Sequence, residues 1–191
     1  MKRVKLGIGL VLLGMTAIFV FRYFQVRNTP AFVAQPSSFS LQPPAQAITG
    51  TLAETQGVVE HRTREADYYA EATPGGTIRQ GESVASKNGS ATIMLGNLGS
   101  VSMKKETEVS FVNLIPASLT VWQKAGTASY EVNTSHPFSI RVSGALVILN
   151  GDATITMKNI TVTRGTARIA RVDNDNKTNV TKIRGKTVYI F

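Results

Sequence analysis

Few residues in this chain have both the type and the spacing that chemistry requires. The two histidines, His61 and His136, lie 75 positions apart among unlike neighbours and read as surface or turn residues. Glu65 and Asp67 are two acids in a polar stretch, a loop pattern rather than an acid–base pair. Asp173, Asn174, Asp175 and Asn176 offer oxygen ligands suited to calcium, yet the same run makes an ordinary hairpin turn. The turn explains it with fewer assumptions, so no metal and no cofactor is assigned. The absence of cysteine excludes thiolate metal sites, cysteine nucleophiles, disulfides and a lipidated cysteine anchor. No nucleophile elbow, phosphate loop, HExxH helix or EF-hand loop occurs. The expectation is a chain that binds rather than catalyses.

Charge is the next chemical resource. The net charge is +9, and it is unevenly placed: nine of the Lys and Arg residues follow Phe138, against three acids. Arg164, Arg168, Arg171, Lys182, Arg184 and Lys186 fall in the closing stretch. Arg164 and Arg168 are an even number apart, as are Lys182, Arg184 and Lys186, so each set fits one face of a strand. Two readings stand: a solvated surface that keeps the domain soluble, or a cationic face for anionic lipid or an acidic polymer. The charges lack interleaved stacking aromatics, so nucleic acid is not expected. Trp122 points away from the Leu119 and Val121 side of its stretch, either as a binding platform or as a second packing surface.

Those residues need elements to carry them. Leu6 to Phe21 is unbroken by charge, and Tyr23 and Phe24 extend it past Arg22. This run approaches the roughly 20 apolar residues of a spanning helix and exceeds a signal-peptide core. No small-x-small cleavage site lies close behind it, so residues 1–24 are expected to form an uncleaved signal-anchor. Lys2, Arg3 and Lys5 precede the span, which orients the N-terminus inward and the rest of the chain outside the cytoplasm. Residues 25–49 carry Pro30, Pro36, Pro43 and Pro44 and read as an extended linker. At about 3.1 Å per residue, some 20 such residues reach roughly 60 Å.

From Gly50 the pattern turns to period two. Ala91, Ile93 and Leu95 alternate with polar positions, as do Val109 and Phe111, Ala128, Tyr130 and Val132, Phe138, Ile140 and Val142, and Val147 and Leu149. Turns are expected at Pro74-Gly75-Gly76, Asn88-Gly89, Gly96-Asn97, Gly126, Asn150-Gly151, residues 173–175 and Gly185. The expected fold of residues 50–191 is all-β, many short strands in a two-sheet sandwich or a β-solenoid, preceded by one transmembrane helix.

The middle of the chain resembles the FecR family of extracytoplasmic domains. The resembling stretch begins at Gly57-Val58-Val59 and runs through Gly81-Glu82, Val84, Ser86, Ser90-Ala91, Ile93 and Leu95. Ser100 to Met103, Thr107 to Phe111, Ala125-Gly126-Thr127 and Phe138 to Val142 match later strands of that pattern. Beyond Val142 the pattern departs: Leu149-Asn150-Gly151-Asp152-Ala153 stands where a Gly-Thr pair is usual. Regulators of the family also carry a cytoplasmic anti-sigma segment, whereas only five residues precede the apolar run here. The resemblance implies a sensor-like or binding domain without that route to transcription. The functional expectation is a single-pass, membrane-anchored module whose domain contacts an envelope protein or a glycan. The alternative is a structural subunit of an envelope or surface assembly; the oligomeric state is left open.

Overall fold

The computed structural model describes residues 46–133, 138–172 and 177–191. The expected anchor, residues 1–24, and residues 25–45 of the expected linker lie outside the described residues, as do His136 and residues 173–176. Among the described residues no helix is long and apolar enough to cross a membrane.

The described chain is almost entirely strand. In chain order the strands are β1 (Gly50–Arg62), β2 (Ala70–Glu71), β3 (Thr77–Ile78), β4 (Ser83–Met94), β5 (Gly99–Met103), β6 (Thr107–Asn113), β7 (Thr120–Ala125), β8 (Thr127–Val132), β9 (Phe138–Val142), β10 (Ala145–Thr156), β11 (Asn159–Val172), β12 (Thr178–Arg184) and β13 (Thr187–Ile190). One 3₁₀ turn, Pro116–Ser118, joins β6 to β7. The alternation seen in sequence is the cause: β10 buries Ala145, Val147, Leu149, Gly151, Ala153 and Ile155 and turns the residues between them outward.

The strands pair in the order β10-β8-β5-β4-β6-β7-β9, and β9 pairs back onto β10. Seven strands therefore close a ring, and closure leaves these seven without the open edges they would present as a flat sheet. This replaces the expected sandwich or solenoid. Short alternating strands specify which side faces the core but not which strands are neighbours. One contact of the ring is a parallel pair, β7 with β9, that matches Trp122 to Arg141; nothing local announces it.

β4 and β10 are the corners of the ring. β4 gives Ser83–Ser86 to β6 and Ala91–Met94 to β5. β10 gives Ala145–Leu149 to β9 and Asp152–Thr156 to β8. On its other edge each corner strand carries a long antiparallel partner, β1 along β4 and β11 along β10. The expected turns at Asn88-Gly89 and Asn150-Gly151 are not turns: both dipeptides lie inside these corner strands. Gly89 faces Gly57 and Gly151 faces Gly165. A Cβ on Gly89 would sit 1.7 Å from the Gln56 carbonyl oxygen, and one on Gly165 2.0 Å from that of Asn150. Glycine is required there because two backbones coil tightly together where the ribbon bends. The turns at Gly75, Gly96, Gly126 and Gly185 do fall between strands.

The core fills the ring with Leu52, Val84, Ile93, Phe111, Phe138, Ile140 and their neighbours, all essentially inaccessible. A polar cluster sits among them. Gln123 is fully buried; its amide nitrogen donates to the Gly126 and Ile155 carbonyls, and its oxygen accepts the Tyr130 hydroxyl at 3.0 Å. Every partner is thereby satisfied. The chain enters beside this core: the Ile48 amide donates to the Leu114 carbonyl at 2.9 Å before β1 begins.

Candidate binding face

Of the side chains whose types suggest chemistry, His61 is held in a contact that ties elements together. His61 Nε2 lies 2.9 Å from Glu82 Oε2, and the same oxygen accepts the Arg79 amide at 2.7 Å. This clasp ties β1 to the turn that leads into β4. Glu65 and Asp67 lie exposed in the β1–β2 loop. No group of three or more potential metal-ligating side chains converges among the described residues.

The outer surface of β7, β9, β10, β11 and β12 is different. Register aligns one outward residue from each strand: Trp122 opposite Arg141, Arg141 opposite Leu146, Leu146 opposite Ala170, Ala170 opposite Val180. At about 4.8 Å per strand this row runs roughly 19 Å across the sheet. Trp122 is 41% exposed, Leu146 38% and Val180 56%, large values for apolar side chains sharing one row. A groove of about 470 Å³ opens beside the row, lined by Trp122, Arg141, Leu146, Ala170, Arg171 and Val172.

Cations frame the row. The Lys124 ammonium lies 5.2 Å and the Arg141 guanidinium 5.3 Å from the centre of the Trp122 ring, both within cation–π range. Lys124 is held by Glu108, whose Oε1 accepts it at 2.8 Å and the Tyr69 hydroxyl also at 2.8 Å. Burial alone would raise the Glu108 carboxyl; the hydrogen bonds from Lys124 and Tyr69 outweigh it and hold the group below its ordinary value. Tyr69 is pushed up to about 12, by burial first and then by its bond to Glu108. A chain of contacts thus runs from Tyr69 through Glu108 to the ammonium beside Trp122.

The six basic residues singled out in sequence divide. Arg168 on β11 and Lys182 on β12 are direct cross-strand partners, and Arg184 lies two residues further along the same side of β12. All three are exposed and adjoin the row, since Ile148 and Arg168 pair next to Leu146 and Ala170. Arg171 stands on the alternate side of β11 but lines the groove. Arg164 does not join them: its guanidinium makes a paired bond to Asp152, at 2.7 and 2.9 Å, and is matched by that carboxylate. Lys186 sits in the β12–β13 turn with a backbone φ of 63°. Sequence reasoning missed Arg141, Leu146, Val172 and Val180 as members of one surface. Alternation turns Arg141 and Leu146 outward, but only the cross-strand register makes them neighbours of Trp122.

Compared with known proteins, the chain matches no family model, no curated protein and no solved structure.

Proposed function

We propose that this chain is a membrane-anchored, extracytoplasmic binding or sensor module of FecR-like kind, with no catalytic role. It engages an acidic component of the cell envelope through the outer face of β7, β9, β10, β11 and β12. One observation carries the reading: an exposed tryptophan, leucine and valine stand on alternate strands of one cross-strand row, separated by Arg141 and Ala170, with further arginine and lysine around them. Folding uses only part of this arrangement, the cation–π contacts on Trp122 and the buried portions of the apolar side chains. Arg168 directly opposite Lys182 is a like-charge pair, which costs stability in a sheet, and the exposed portions of the apolar side chains gain nothing until something covers them.

The test places a photo-crosslinking residue at Leu146 and, separately, at Val58 on β1, in intact membranes. The reading expects a discrete adduct from Leu146 and none from Val58. Equal or absent crosslinking at both sites contradicts it. A second reading, a structural subunit, draws on a different observation. β12 and β13 carry no strand on their far sides among the described residues, and Val188 and Ile190 are 57% and 75% exposed. Strand addition there would build homopolymers; concentration-dependent oligomers abolished by Ile190→Lys would favour it over the first reading.

A further inference from the structure

We infer that the occupant of this face is the surface of an anionic lipid bilayer, on which the barrel lies with Trp122, Leu146 and Val180 at headgroup depth. The inference rests on the reading that the face is a binding surface of a chain held in the envelope, and it names what that surface takes.

The composition of the face selects this occupant. An acidic polymer in water needs cations and hydrogen-bond donors; it has no use for exposed valine and leucine. A neutral apolar partner would leave Arg168, Lys182 and Arg184 uncompensated. A bilayer surface offers both requirements in layers: anionic headgroups outside, and a half-apolar interface beneath, where tryptophan is favoured. The face has the same layering laid side by side. Within the row, Trp122, Leu146, Ala170 and Val180 supply apolar and aromatic contact on either side of Arg141. The neighbouring row ends in Arg168 and Lys182, with Arg184 beyond. Long arginine and lysine side chains reach from such a position to phosphates while their stems lie along apolar surface. Arg141 and Arg171 at the groove add two more guanidiniums able to grip phosphate oxygens.

The cross-strand pair then has a physical account. Arg168 and Lys182 repel each other in solution, and the repulsion is relieved when anionic headgroups lie between and around them. Each cation near an anionic surface is worth roughly fivefold in binding, so removing three weakens docking by roughly a hundredfold. The attraction is screened over about 10 Å at 0.1 M salt and about 3 Å at 1 M.

Trp122 is the chain's single tryptophan, so its fluorescence reports on this face alone. The full chain is reconstituted in vesicles of phosphatidylcholine, or of phosphatidylcholine with phosphatidylglycerol, each with and without brominated acyl chains. Flotation of the chain with both vesicle types tests the anchor independently of docking. The inference expects Trp122 to shift to the blue and to be quenched by bromine in the anionic vesicles only. Raising salt to about 1 M should reverse both effects, a control on the unaltered chain that needs no variant. Arg168→Ser with Lys182→Ser and Arg184→Ser should return the anionic signal to the neutral baseline while circular dichroism is unchanged. Identical Trp122 emission in the two vesicle types overturns the inference, as does a shift that survives both salt and the triple change. Added polyglutamate that shifts Trp122 where anionic vesicles do not would overturn it too, and would leave the binding face itself standing with an acidic polymer as occupant.

Discussion

At the scale of single residues, the side chains that hold this protein together are mostly those whose alternation is plain, but its polar anchors are not. Gln123 is the clearest case. In sequence it is one polar residue between Trp122 and Lys124; in the fold it is fully buried and closes three hydrogen bonds. Gln123→Ala should cost about 2–4 kcal/mol in urea denaturation, because the Tyr130 hydroxyl and two carbonyls lose their partner. Tyr130→Phe in the same background should add little further loss, which a double-mutant cycle reads directly. Glu108 and Tyr69 give opposite pH signatures. Glu108 binds its proton more weakly when folded, so its contribution is present above the ordinary glutamate value and is lost as pH falls through the depressed folded one. Tyr69 holds its proton more tightly when folded, so its contribution is present below about 10 and is lost as pH rises toward about 12. Stability measured against pH should show the acid limb flattened in Glu108→Gln and the alkaline limb flattened in Tyr69→Phe. Trp122 could be singled out from sequence as an outward aromatic. Its partner Arg141 could not, because a parallel pairing between strands separated by β8 leaves no local trace.

At the scale of elements, period-two alternation made the strands legible, and glycine made their ends only half legible. The dipeptide Asn-Gly is the strongest short signal for a hairpin turn, yet Asn88-Gly89 and Asn150-Gly151 lie mid-strand. What glycine serves there is close backbone approach at a corner, and that need arises from a partner strand distant in sequence. Gly89→Ala should therefore destabilise severely, by several kcal/mol, since the added carbon meets the Gln56 carbonyl carbon at 2.8 Å as well as its oxygen. Gly96→Ala, in a turn with open space around it and a φ of 60°, should cost about 1 kcal/mol. Thermal denaturation of the two variants separates corner from turn; equal losses would mean the corner relaxes. The resembling stretch ends at Val142, but the ring does not: β10 pairs with both β8 and β9 and is the strand that closes it. A chain ending at Val142 should fail to give a cooperative unfolding transition. One ending at Val172, which keeps all seven ring strands, should unfold cooperatively at lower temperature because Ile160, Val162 and Ile169 lose the cover of β12 and β13.

At the scale of the whole molecule, composition foretold an all-β domain and a basic C-terminal part. It did not foretell that the cations would border a row of exposed apolar side chains. The alternation that buries Val147 and Leu149 also turns Leu146 and Ile148 outward; ring closure puts Trp122 in the same row beyond Arg141, and the β11 and β12 pairings put Val180 in it beyond Ala170. A binding surface thus arises as a property of topology, assembled from five strands that span residues 120–184. The central claim is that this surface, and not the rest of the barrel, is covered in the envelope. The chain contains no cysteine, so single cysteines report cleanly when placed at Leu146, Val180 and, as controls, Val58 and Met94, all exposed in the isolated fold. The most direct measurement is the rate at which a membrane-impermeant maleimide labels each cysteine in intact spheroplasts, divided by its rate in detergent. The account predicts ratios near one at Val58 and Met94 and a strong slowing at Leu146 and Val180; equal ratios at all four positions, or protection at all four, would contradict it.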